Sequence, residues 1–172
     1  MEAYLALSQE LRLGGAVAEH LINLWEQWLP ILQVCEVRGE KISWLVVWLP
    51  ESVENQVDES WKSSPSEGWL VNSLARFMCA SAVQELLPEV EEVHCAPSPR
   101  PTQTLREALD KLGVPYKEGA AILSRRYAMV TLYPYLGGCE ICHLQNQCPK
   151  GQGKGESLSV VLPGYEKTNA LP

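Results

Sequence analysis

The residues best suited to chemistry are three cysteines in the last quarter of the chain. Cys139-Glu140-Ile141-Cys142-His143-Leu144-Gln145-Asn146-Gln147-Cys148-Pro149 is a C-x2-C-x5-C-P run. Two cysteines three apart can turn both sulfurs to one centre, because the peptide between them wraps around it with its amides inward. A third cysteine, six residues on, can return to that centre after one loop. Gly137-Gly138 lets the backbone turn sharply at the entrance. A proline after the last cysteine also occurs in bacterial ferredoxin runs, whose thiolates hold iron–sulfur clusters. The expectation is an iron–sulfur cluster on Cys139, Cys142 and Cys148, with one ligand position left to fill.

Other chemistries share these residues. C-x2-C is half of a zinc site, although the usual second pair is absent. Free thiols, or a Cys139–Cys142 redox pair, need no metal at all. Cys139-Glu140-Ile141-Cys142-His143 also satisfies the C-x-x-C-H pattern of covalent haem attachment, a reaction that follows export. His143 reads instead as a loop side chain hydrogen-bonded near the centre. For the fourth ligand the ranking is Cys95, Cys79, Cys35. Cys95 is placed at a strand end before a proline-rich turn, whereas Cys79 and Cys35 fall on apolar faces and read as core packing. Water, His143 or a group from a partner are the alternatives.

The triplet resembles the cysteines near the C-terminus of iron–sulfur RecB-like nucleases, where a distant upstream cysteine completes the set. It is also similar to part of the auxiliary-cluster motif of SPASM-type radical enzymes. The likeness spans the run from Cys139 to Pro149, and Cys139, Cys142 and Cys148 are the matching positions. The SPASM pattern would place its next cysteine where this chain has Gln152. The chain carries neither an acid/Lys nuclease core motif nor a C-x3-C-x2-C radical motif, so the resemblance implies a cluster and no activity.

Composition sets the frame for that site. A chain of 172 residues with 46% hydrophobic and 20% charged residues can bury a sizeable core as one domain. The net charge of −7 is uneven: residues 1–93 hold 15 acids and 5 bases, while residues 94–172 hold 6 acids and 9 bases. An acidic chain with no long basic stripe is a poor match to nucleic acid, which demands several phosphate contacts. Its acidic N-terminal half is instead expected to meet a protein partner. Arg125-Arg126 near Lys117 reads as a solvated face rather than an anion site. No apolar run approaches the ~18 residues that span a bilayer. Glu2, Glu10 and Arg12 make residues 1–13 unlike an export signal. A cytoplasmic, reducing setting is the expectation, which favours thiols and metal over disulfides.

The elements expected to position the site form an α+β domain over residues 1–135, with about four strands and three to four helices. A Cys-rich loop follows at 136–156, then a polar tail at 157–172. Leu13, Val17, Leu21, Leu24 and Trp28 fall on one helical face, with Gly14-Gly15 bending that helix and His20 at its boundary. Residues 31–37 and 41–49 read as a hairpin, the second strand apolar enough to be central. Residues 51–64 are acidic and Ser-rich and read as an exposed connection. Ser64-Pro65-Ser66-Glu67 opens a helix to about Leu87, with Trp69, Leu70, Leu74, Phe77, Met78 and Ala82 on its buried face. Val90 to Cys95 reads as a strand, Thr102 to Leu112 as a helix closed by Gly113, and Tyr127 to Tyr135 as a strand.

No second constellation competes. Glu89, Glu91 and Glu92 read as a solvated face, Trp44 and Trp48 as core, and no glycine pattern frames a nucleophilic serine. The glycines after Cys148 lack the residues of a phosphate loop. The expected function is a metal-binding protein for electron transfer, redox sensing or complex assembly, and not an enzyme. The competing expectation is an adaptor with structural zinc or metal-free thiols.

Overall fold

The computed structural model describes residues 15–90, 95–118 and 122–148. Helix α1 (Ala16–Trp28) leads through a short 3-10 turn into strand β1 (Gln33–Arg38) and its hairpin partner β2 (Ser43–Trp48). Two helices follow, α2 (Glu51–Ser63) and α3 (Pro65–Leu86), then helix α4 (Gln103–Lys111) and strand β3 (Ala128–Tyr133). The sheet is antiparallel in the order β1-β2-β3, with Cys35 opposite Val46 and Val46 opposite Val130. The fold is α+β, and the described residues hold three strands where about four were expected.

Alternation along β2 divides the core in two. Leu45 and Val47 face a cluster with Leu21, Leu24 and Trp28 of α1, Val53 and Val57 of α2, and Leu74 and Met78 of α3. Trp44 and Val46 face a second cluster with Leu105 and Leu109 of α4, Val114, Leu123 and Leu132. A strand covered on both faces must be apolar at every position, which explains the run Trp44-Leu45-Val46-Val47-Trp48.

Residues 51–63 are a helix, not an exposed connection. Val53, Val57 and Trp61 recur every four residues; the first two are fully buried, while Glu51 and Glu59 are exposed and Glu54 and Asp58 half-buried. Those acids have an internal role. Glu51 accepts from Arg125 at 3.0 Å, and Asp58 takes both guanidinium nitrogens of Arg126 at 2.6 and 3.1 Å. The Arg125-Arg126 pair is therefore engaged with α2 rather than simply solvated.

The start of α3 is as expected: Ser64 accepts the Glu67 amide and Pro65 holds the first helical position. Its buried face is different. Gly68, Val71, Leu74, Ala75, Met78, Cys79 and Val83 are buried, while Trp69 is 41% exposed and Leu70, Phe77 and Ala82 only flank the core. Gly68 sets this rotation, because a Cβ there would strike the Trp61 indole. α2 and α3 thus approach closely along a glycine.

On α1, Leu21, Leu24 and Trp28 are buried but Val17 is 43% exposed. Leu13, the Gly14 half of the expected bend and the tail 157–172 lie outside the described residues. Glu89 and Val90 are helical rather than the start of a strand, and residues 91–94 are not described. α4 is capped by the Thr102 hydroxyl on the Leu105 amide and closed by Gly113 at φ +74°.

Candidate metal centre

Two stretches meet beside the end of β3. The first is the chain from Cys95 to Arg100, which belongs to no strand, while residues 91–94 of the strand expected before it lie outside the described residues. This chain is held by the sheet. The Thr131 hydroxyl, at a side chain 1% exposed, donates to the Pro97 carbonyl at 3.0 Å. One residue on, the Ser98 carbonyl accepts the His143 amide at 2.8 Å. The second stretch is the cysteine loop itself, now stapled to the first by that bond.

The loop is two short 3-10 turns, Cys139–Ile141 and Gln145–Gln147. The Cys142 amide donates to the Cys139 carbonyl at 3.2 Å, and the Cys148 amide to the Gln145 carbonyl at 3.3 Å. Each cysteine thus stands at the edge of a tight turn, which curls the peptide around one side. Gly137 enters at φ +135°, a conformation that excludes side chains, and a Cβ there would meet the Glu140 carboxylate. That carboxylate accepts the Gly138 amide at 2.8 Å. Its own amide and that of Gly138 hold Glu140 below the usual carboxylate range.

Cys95, Cys139, Cys142 and Cys148 line one small cavity of about 20 Å³, together with Pro97, Gly138 and Gln145. All four cysteines are half-buried and free of disulfides. Among the described residues, no three His, Cys, Asp or Glu side chains are already gathered into a metal-ready group. The two facts fit together in a site that holds no metal. Thiols do not attract one another, and the Cys95 sulfur lies 3.8 Å from the neighbouring Ala96 carbonyl. A metal deprotonates its thiols as it binds, and only then does it draw them onto one point.

The lower-ranked cysteines stand elsewhere. Cys79 is 1% exposed in the core, its sulfur 3.5 Å from the Tyr127 carbonyl, and burial pushes its thiol up to about 12. Cys35 is half-buried on the edge strand β1 rather than in the core. His143 contributes its backbone amide to the staple with Ser98. His20 is exposed and lies 3.4 Å from Glu67, away from the cysteines.

One residue of the site carries no signal in the sequence. The Tyr135 ring packs at the margin of the larger core cluster, and its hydroxyl is buried without a hydrogen-bond partner. That oxygen lies 3.5 Å from where a Cβ on Gly138 would stand, and Gly138 lines the cysteine cavity. Burial raises the Tyr135 phenol above its ordinary range, and the nearby Glu140, Cys95 and Cys139 raise it further. Its position four residues before Cys139 is the only hint that a sequence reader could have used.

No helix among the described residues is long and apolar enough to cross a membrane. No family model, curated protein or solved structure matches this chain.

Proposed function

We propose that this is a metal-binding protein whose centre is an iron–sulfur cluster held by Cys95, Cys139, Cys142 and Cys148. The observation that carries the reading is the convergence of Cys95, distant in sequence, with the three loop cysteines on one cavity. Four thiolates are the complete ligand set of a cubane cluster. The grouping is one upstream cysteine plus a C-x2-C-x5-C-P run, the grouping that the RecB-like resemblance implies. The role is electron transfer, redox sensing or assembly with a protein partner, in a cytoplasmic, reducing setting. Exposed acids of the N-terminal half that are not tied to Arg125 and Arg126 supply the surface for that partner.

Structural zinc is the second reading, and cavity size favours it. A volume of about 20 Å³ holds one water-sized body, which suits a single tetrahedral ion. A cluster needs more room, and the loop must move outward to give it. Little opposes that movement, because neither 3-10 turn has a buried side chain. The cysteine grouping weighs the other way: zinc sites are usually built from two close pairs, and Cys95 and Cys148 have no near neighbour of their own.

Iron, zinc and acid-labile sulfide should be measured on full-length protein purified without oxygen, together with its visible spectrum. Iron with matching sulfide and broad visible absorption supports the cluster. Zinc alone makes the centre structural, and absence of both metals overturns the proposal.

A further inference from the structure

The Tyr135 hydroxyl is buried, has no hydrogen-bond partner, and sits beside a cavity walled by thiols. Burying a hydroxyl without a partner is costly, so natural proteins seldom leave one so placed. This oxygen has no hydrogen-bond partner, and the cavity that Gly138 lines lies beside it. A phenol can donate its proton, and thiolate or sulfide sulfur bound to a metal is an acceptor with excess negative charge.

We propose that Tyr135 is a positioning residue of the metal centre, donating its O–H to a sulfur on the side of Gly138. The inference rests on the cluster reading above and adds a residue that regulates it. A donor to sulfur withdraws charge from the cluster, which favours the reduced state because that state carries one more electron. Gly138 is part of the same device. The Cβ of any larger residue there would stand 3.5 Å from the Tyr135 oxygen.

The test compares wild-type protein with Tyr135→Phe, both full-length and reconstituted anaerobically with iron and sulfide. Each is then titrated with dithionite, which supplies the single electron that the cluster accepts. Phenylalanine keeps the ring and deletes only the donor. The expected result is equal iron and sulfide in both proteins, with the reduced-to-oxidised ratio of the variant about tenfold lower at a fixed potential. That ratio corresponds to about 59 mV for a one-electron couple. The metal-free variant should melt no lower than metal-free wild type, since it has lost an unpartnered hydroxyl rather than a bond.

An unchanged ratio at full iron content overturns the role of Tyr135 and leaves the cluster standing. Loss of iron, or of the fold, in Tyr135→Phe overturns it too, because the hydroxyl would then be needed for assembly and not for tuning. Failure of wild-type protein to take up iron and sulfide defeats the cluster reading itself, and this inference with it.

Discussion

The Thr131 hydroxyl donates a 3.0 Å hydrogen bond to the Pro97 carbonyl, joining the sheet to the segment that carries Cys95. Thr131 is the buried polar side chain among the described residues, set in the middle of β3. Residues 95–98 have no ladder of their own, so this bond and the Ser98–His143 staple fix where Cys95 meets the loop.

Thr131→Val should therefore affect both stability and metal. Valine matches threonine in shape but leaves the Pro97 carbonyl buried and unbonded, a cost of about 1–3 kcal/mol. At roughly 2–4 °C per kcal/mol for a chain of this size, calorimetry should show a lower melting temperature. The variant should also lose metal to a chelator faster than wild type. Equal melting and equal release would mean that Cys95 is held by other contacts.

Serine replacements separate ligands from bystanders. Cys95→Ser should reduce metal content as far as Cys142→Ser does, because both thiols line the same cavity. Cys79→Ser should retain full metal. With its thiol near pKa 12, Cys79 should also resist alkylation at pH 8 in folded, metal-free protein while Cys139, Cys142 and Cys148 react. Peptide mass analysis after alkylation reads all of this together.

The limits of the sequence can be seen in these same residues. Cys139, Cys142 and Cys148 were legible because their chemistry lies in short-range spacing. Cys95 was legible as a candidate, but the contacts that tie its segment to the sheet and loop, at Pro97 and Ser98, are made across the fold and leave no trace in local sequence. Tyr135 was invisible because an orphaned hydroxyl is defined only by what surrounds it. Helix α2 was missed because its acids dominate its composition, although Val53, Val57 and Trp61 form a helical stripe. On α3, apolar residues occur nearly all around, so periodicity could not choose the buried face, and the choice fell to Gly68 against Trp61. The central β2 was clear because burial on both faces leaves a continuous apolar run.

The α2 acids give a pH dependence with a definite sign. Hydrogen bonding to Arg126, and then its charge, holds Asp58 below the ordinary carboxylate range. A depressed folded value stabilises above the unfolded value of about 3.9, and that gain is lost as pH falls through the folded value. The pair is exposed, so the effect should be small. Asp58→Asn should lower the melting temperature slightly at pH 7, and the difference from wild type should vanish in acid. A difference that grows as pH falls would contradict the pairing.

Metal removal should act locally. Leu136, Ile141 and Leu144 are all partly exposed, so residues 137–148 have little burial to order them, and a metal in the proposed centre would supply that order. The two clusters on either face of β2 do not include the cysteine loop. Chelation should therefore speed hydrogen exchange across 137–148 while the cooperative melt of the domain remains. Equal protection in both states would contradict this, and global unfolding on stripping would make the centre structural for the whole chain.

X-ray absorption at the edge of the bound metal tests the central claim most directly, because it counts the donors around that metal. The account predicts iron with an all-sulfur first shell at about 2.3 Å and a second shell of iron, and both features should be lost in Cys95→Ser as in Cys142→Ser. A first shell of nitrogen or oxygen, or an unchanged spectrum in Cys95→Ser, would contradict a four-cysteine cluster at this site.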